Sequence, residues 1–294
     1  GDGGGGDGGG GGAAAASIDV PYDILVLATG VTDGFWKLGR PLATADWVQL
    51  RDELQGKIDA ANTIAVVGAG LNGVQLALSL ANLHAKKKVS LVIAGQTVCP
   101  RFNDKYQAVV EKMLKEADVD VVRNARVAKH DVPVCKSWSS GKLVHERSGD
   151  EVLDADLVLW CIGGTANTSF LPKQWLDERG HVKVDSSLVV QGETHVLALG
   201  DISSTEKMTN APRSQVSKTA KVVAAIAAGK KPPAIKPSTA VNDRAIGYFS
   251  KQHKMKVIMI NDSGKPNSIP MAIVYTYFRY SNGKALPLKE WEAV

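Results

Sequence analysis

Short apolar runs closed by glycine set the rhythm of this chain. Ile24-Leu25-Val26-Leu27-Ala28, ended by Thr29-Gly30, is too short for a stable helix and predicts a buried strand stopping in a tight turn. The same form returns at Thr63-Ile64-Ala65-Val66-Val67, at Val89-Ser90-Leu91-Val92-Ile93, from Ala155 to Ile162, and from Thr194 to Leu199. Between these runs the apolar positions take a helical period. Val48, Leu50, Leu54 and Ile58 recur within 46–60, and 102–117 and 211–228 also predict helices. Residues 119–123 predict one more strand. The alternation over 125–148, centred on Ser139-Ser140-Gly141, predicts antiparallel strands that turn at that triplet. Residues 271–280 (MAIVYTYFRY) are aromatic-rich and fit either a strand or an interface.

The most informative of these junctions is Val67-Gly68-Ala69-Gly70-Leu71-Asn72-Gly73, followed by an apolar-faced helix carrying Gln75. In a strand–GxGxxG–helix, each glycine has a task. Gly68 permits the tight turn, Gly70 lets the backbone approach a pyrophosphate, and Gly73 allows close packing of helix on strand. The helix N-terminus then offers free N–H groups and the positive end of a dipole to phosphate. The strand at 89–93 follows where a βαβ unit would place it. Incidental glycines in an ordinary strand–turn–helix are the competing explanation. The second strand runs out into Ala94-Gly95-Gln96 without the acid that usually holds an NAD ribose, and Arg101 is a candidate for a 2′-phosphate or a plain surface residue. NADH against NADPH stays open.

Composition narrows the class. The chain has 294 residues, 44% hydrophobic and 22% charged, enough for a substantial core and unlike a disordered protein. No run approaches the roughly 18 apolar residues of a spanning helix. A net charge of +5 is too mild to argue for nucleic acid. Cys99, Cys135 and Cys161 are widely spaced and form no CxxC, which argues against a disulfide framework and a zinc site and fits a reducing, cytoplasmic compartment. Residues 1–16 are a Gly/Ala tract that cannot pack. Its formal GxGxxG is rejected, because no strand precedes it and no amphipathic helix follows. The chain opens on Gly rather than Met, so a leader or lipid anchor cannot be assessed, and whether an N-terminal portion is missing stays open. Lys230-Lys231 with Lys236, and Lys251, Lys254 and Lys256, form small basic clusters that read as solvated faces or as a weak membrane-surface contact.

In order and spacing, Ala28-Thr29-Gly30, Gly68 to Gly73, Cys161 to Gly164 and Leu199-Gly200-Asp201 resemble the two-dinucleotide pyridine-nucleotide:flavin oxidoreductases. Within that group the chain is most similar to apoptosis-inducing-factor-like, ferroptosis-suppressor-type NAD(P)H:quinone reductases. The resemblance covers roughly 18–230. It implies an α/β fold in which a Rossmann-like NAD(P)H-binding domain is inserted in a partial three-layer FAD-binding domain, followed by a small α+β region. The implied boundaries are 17–60 and 166–235 for the FAD part, 61–165 for the NAD(P)H part and 236–294 for the remainder.

The same resemblance implies site residues. Thr29 and Gly30 match a loop near FAD, and Gly200 and Asp201 match the segment whose aspartate binds the ribityl chain. Gly68, Ala69, Gly70, Leu71, Asn72 and Gly73 match the NAD(P)H pyrophosphate loop. Gln75 stands where relatives usually carry Glu, able to hydrogen-bond the nicotinamide region without charge. Gly163 belongs with the second strand end, and Lys37 is a weak candidate for a lysine beside the flavin. No metal is implied. The implied activity passes hydride from NAD(P)H to FAD and on to a quinone or other small acceptor. A chain that binds NAD(P)H and holds no flavin is the alternative, because the family's first strand–GxGxxG–helix has no counterpart here. The glycine tract stands in its place and reads as an expanded hairpin loop. The oligomeric state is left open.

Overall fold

The computed structural model describes residues 18–32, 43–128, 137–204, 211–235, 244–249, 255–260 and 266–268. Its largest sheet has five strands, ordered β5 (Asp120–Val122), β4 (Lys88–Val92), β3 (Thr63–Val67), β7 (Glu151–Trp160) and β6 (Trp138–Val144). All pair in parallel except β6, which runs antiparallel to β7. Helix α2 (Leu71–Leu83) joins β3 to β4, and α3 (Asp104–Glu116) stands between β4 and β5. Two successive strand–helix–strand turns thus build outward from β3 on one side, while β7 is added on the other. The order of strands reverses at β3, which opens a crevice beyond the C-terminal ends of β3 and β7.

Burial explains why these segments hold. The inner strands are apolar on both faces. Ile64, Val66, Leu91, Leu157 and Leu159 pack with Val74, Ala77 and Leu78 of α2 and with Tyr106, Val110 and Leu114 of α3. Ala65, Val67, Val92, Val158 and Trp160 form the opposite layer with Leu143 of β6. The helix α1 (Thr44–Ala60) precedes β3, and only its later apolar residues, Leu54 and Ile58, join the first layer; Val48 is exposed. Helix α3 begins at Asn103, whose side chain accepts from the Tyr106 N–H at 2.9 Å.

A second, smaller unit surrounds the parallel pair β1 (Leu25–Leu27) and β9 (Val196–Ala198). Val182, Val184, Leu188, Val190, Val196, Ala198 and Ile202 form its core with Leu27, and α4 (Ala211–Ala227) brings Val222 onto Leu197. The expectation of a fully buried first strand is corrected here. Val26 is 43% exposed, because β1 alternates and only Leu27 is buried against β9 and its loops. The chain leaves this unit through β2 (Val31–Thr32) and re-enters it through β8 (Thr165–Ala166), which pair antiparallel. The Rossmann-like α/β fold expected from the sequence is the one observed.

A second correction concerns 125–148. Ser139, Ser140 and Gly141 do not turn the chain but lie inside β6, where the register against β7 shifts between Ser139 and Gly141. Gly141 has φ +95°, and Ser139 Oγ accepts from Trp160 Nε1 at 3.0 Å, so the triplet forms a bulge in an edge strand. The reversal comes at 146–149, where the Gly149 N–H donates to the His145 carbonyl at 3.0 Å. Last come β10 (Arg244–Phe249), β11 (Met255–Ile260) and β12 (Pro266–Ser268), an antiparallel sheet whose β10 lies on α2. Tyr248 packs against the core, and the Phe249 N–H donates to Ser79 Oγ at 3.3 Å.

Candidate functional site

The glycine turn is built by contact on two sides. Gly68 has φ +134°, and an ideal Cβ there would stand 2.2 Å from the Cys161 carbonyl oxygen. At Gly73 an ideal Cβ would stand 2.2 Å from the Gly68 carbonyl oxygen. No side chain fits either place. Gly70 differs, since nothing lies within 4 Å of its ideal Cβ. Its missing side chain therefore leaves open space in front of the turn, which is the room a close-lying pyrophosphate needs.

The turn is held from behind. The Gly68 N–H donates to the Val92 carbonyl at 3.0 Å, the Cys161 N–H to the Val67 carbonyl at 2.8 Å, and the Cys99 N–H to the Ala69 carbonyl at 2.7 Å. Gly70 is the N-cap of α2 and has no side chain to satisfy the first N–H groups, while its carbonyl accepts from Val74 at 3.1 Å. The first turn of α2 has no acidic residue. Leu71 and Gln75 are half-buried there, Asn72 is exposed and Gly73 is buried. These features together make an uncapped, positive helix end aimed into the crevice between β3 and β7. Gly163, exposed with φ +94°, lies at the far wall of the same crevice, just after β7.

Across the crevice's other margin, Ala94, Gly95 and Gln96 after β4 are exposed, as is Arg101. Arg123, at the end of β5, donates Nε to the Gln96 carbonyl at 3.1 Å and pairs through Nη2 with Glu111 at 2.5 Å. Sequence reasoning did not single out this pair, since Arg and Glu twelve residues apart carry no motif.

Thr29, Gly30, Gly200 and Asp201 come together at a second edge. β1 and β9 pair Leu25 with Val196 and Leu27 with Ala198, so both segments leave neighbouring strand ends side by side. The Leu199 N–H donates to the Leu27 carbonyl at 3.0 Å, prolonging the pairing up to Gly200. Gly30 and Gly200 have φ of +68° and +77°, and Asp201, half-buried, sits in a short 3₁₀ turn over Gly200–Ile202. Asn167 ties this edge to β8. Thr29 Oγ1 donates to its carbonyl at 2.7 Å, its Nδ2 donates to the Thr29 carbonyl at 3.0 Å, and its N–H donates to the Gly30 carbonyl at 3.0 Å. An Asn inside Thr-Ala-Asn-Thr gives no sequence signal of such a role.

Neither of the two described cysteines, Cys99 and Cys161, is in a disulfide. Cys99 is buried with φ +48°, and burial, with Glu111 nearby, pushes its thiol up to about 12. Cys161 is half-buried against the first core layer. Lys37, Cys135, Lys236, Lys251, Lys254, the glycine tract and 271–280 lie outside the described residues. Among the described residues no group of His, Cys, Asp and Glu could hold a metal, and no helix is long and apolar enough to cross a membrane.

Comparison with known proteins agrees with this geometry. The chain is 34% identical over 189 residues to the oxidoreductase ptaL of Pestalotiopsis fici, a match that covers 64% of this chain and 50% of that protein. It is 26% identical over 191 residues to human ferroptosis suppressor protein 1, covering 62% and 50%. It thus spans about half the length of these curated relatives. A ferredoxin reductase from Rhodopseudomonas palustris shares the fold with a TM-score of 0.55 at 18% identity, covering 82% of this chain and 58% of that one. FAD and NAD(P)H are the cofactors of such oxidoreductases, and the open face of Gly70 together with the paired strand ends at Gly30 and Gly200 suits both groups. With residues 12–229 matching the family profile, the chain belongs to the pyridine nucleotide-disulphide oxidoreductases.

Proposed function

We propose that this protein is a flavin-dependent oxidoreductase that takes hydride from NAD(P)H and delivers electrons to a quinone-type acceptor. The observation that carries this reading is the contrast within one turn: Gly68 and Gly73 are closed by backbone contacts, while Gly70 faces open space at an uncapped helix end. In this reading Gly68, Ala69, Gly70, Leu71, Asn72 and Gly73 hold the pyrophosphate of NAD(P)H through main-chain N–H groups. Gln75, one turn into α2, meets the nicotinamide side, and Gly163 leaves the opposite wall low. Thr29, Gly30, Gly200 and Asp201 receive the ribityl side of FAD, with Asp201 accepting hydroxyl protons in hydrogen bonds. The segments 61–165 and 17–60 with 166–235 are the corresponding nucleotide and flavin parts.

Bound together, the two cofactors supply the transfer of a hydride from reduced nicotinamide to flavin and of two electrons onward to the acceptor. The chain's own work is orientation and exclusion of water. A quinone is favoured because the sequence resembles ferroptosis-suppressor-type quinone reductases and relatives include ferroptosis suppressor proteins. Quinones partition into bilayers, so brief contact with a membrane surface belongs to the proposal.

The test is NADH and NADPH oxidation by the purified chain with a soluble quinone, alongside its visible absorbance. Yellow protein that reduces quinone at the expense of either nucleotide is the expected result. Colourless protein that binds NAD(P)H without oxidising it would instead favour a nucleotide-binding protein without flavin.

A further inference from the structure

We propose that Asn167 is a positioning residue that fixes the orientation of the β1–β9 unit against the five-stranded sheet, and so the line of hydride transfer between their two edges. The chain passes between these units through β2 and β8, which pair over two residues each, Val31 with Ala166 and Thr32 with Thr165. So short a ladder is a poor brace by itself, and an antiparallel pair of this length is free to twist. Asn167 extends it. Its N–H reaches the Gly30 carbonyl, its Nδ2 the Thr29 carbonyl at 3.0 Å, and its Oδ1 accepts from Thr32 Oγ1 at 2.7 Å, while its carbonyl accepts from Thr29 Oγ1 at 2.7 Å.

One residue therefore grips the outgoing strand at Thr29, Gly30 and Thr32 at once. The next residue anchors the grip in the smaller unit. Thr168 is buried, and its Oγ1 donates to the Gly180 carbonyl at 2.7 Å. On the other side, Gly163 and Gly164 lead from the end of β7 directly into β8. Turning β2 against β8 would move the Gly163 wall relative to the Gly30 turn, and the hydrogen bonds of Asn167 resist that turn. A joint of a few residues that absorbs rotation is the usual build of a hinge, and here it is locked by side-chain bonds rather than left free.

The proposal rests on the function argued above for its consequence, but its structural half is measured without any cofactor. Spin labels are attached through K105C on α3 and R179C in the smaller unit, both at exposed positions, in the full chain carrying C99A, C135S and C161S. The parent is expected to give one narrow distance distribution, and N167A a broadened or displaced one. T32V, which keeps the β-branched shape and deletes only one hydrogen bond, is expected to fall between them. It serves as the deciding variant should N167A fail to fold. Distributions for N167A, or for T32V in its place, that match the parent overturn the proposal.

In flavin-loaded protein, N167A is expected to slow flavin reduction at saturating NAD(P)H by about tenfold or more, as small misplacements of reacting groups do. The Kd for the nucleotide and the flavin content should stay at parent values, a split that general destabilisation would not give. An unchanged reduction rate despite a broadened distribution would overturn the catalytic half. Parent protein that takes up neither cofactor would overturn the proposed function instead, with the label distances still deciding the hinge.

Discussion

The carbonyl oxygen of Cys161 occupies the place where a side chain on Gly68 would begin, 2.2 Å from an ideal Cβ. The end of β7 thus forms the back of the glycine turn after β3, and the two strand ends make one structure. The Cys161 N–H bond to the Val67 carbonyl draws them together. The arrangement explains why the turn needs glycine at two positions for packing and at a third for access.

That division predicts different outcomes for two alanine substitutions. G73A drives a Cβ into the Gly68 carbonyl and is expected to cost about 1–3 kcal/mol of stability, the usual range for overpacking a tight site. G70A meets no protein atom and is expected to leave the melting temperature unchanged. Denaturation of both variants without nucleotide checks the contrast, and equal losses would refute it.

Asp201 is expected to matter for flavin and not for nucleotide. D201A removes a carboxylate from the strand-end pair beside Gly30, and hydrogen bonds to a charged group are each worth about 1.5–3 kcal/mol. FAD retention through gel filtration should fall about tenfold or more on that scale, while NADPH binding holds. Loss of both would mean that Asp201 supports the fold.

Asp156 gives a pH signature far from the crevice. Its carboxylate accepts from the Thr63 N–H at 2.9 Å and the Asn62 N–H at 2.8 Å, which hold its pKa below the ordinary carboxylate value, with the Thr63 hydroxyl and Lys87 assisting. A folded-state pKa below the unfolded one adds stability that is complete above about pH 4 and is lost as pH falls through the folded value. D156N should therefore be less stable than the parent at neutral pH, with the gap closing in acid. Urea titrations across that range would show it, and a gap independent of pH would contradict it.

Cys99 should be inert. With its thiol pushed up to about 12 by burial, it carries almost no thiolate at neutral pH. Alkylation of Cys99 in the native protein is expected only at the rate of unfolding, and C99A should match the parent in an NAD(P)H oxidation assay. Rapid native labelling at this position would count against the packing described.

How much of this could be read from residue order alone follows from the range of the interactions. The strands at 63–67, 88–92 and 120–122 and their helices were legible because each apolar pattern reflects its own burial. The bulge at Ser139 to Gly141 was not, since a Ser-Ser-Gly triplet has the same local chemistry in a turn and in a bulged strand. Pairing with the distant strand β7, together with the Trp160 bond to Ser139, separates the two. The exposure of Val26 was hidden for a similar reason: an apolar run does not say how many strands will cover it. At the site, the glycines were readable because a forbidden side chain shows in sequence. The grip of Asn167, through its side chain and its main chain, and that of Cys161, through its carbonyl oxygen, act across long sequence separations and leave no such trace.

The measurement that bears most directly on the account is calorimetric titration of the purified chain with NADH and NADPH, paired with G70A. Saturable binding of a reduced nucleotide by the parent, weakened about tenfold or more in a G70A protein of unchanged melting temperature, is the outcome predicted for a backbone cradle open at Gly70. Equal affinity in the two proteins, or no binding of either nucleotide, would contradict it.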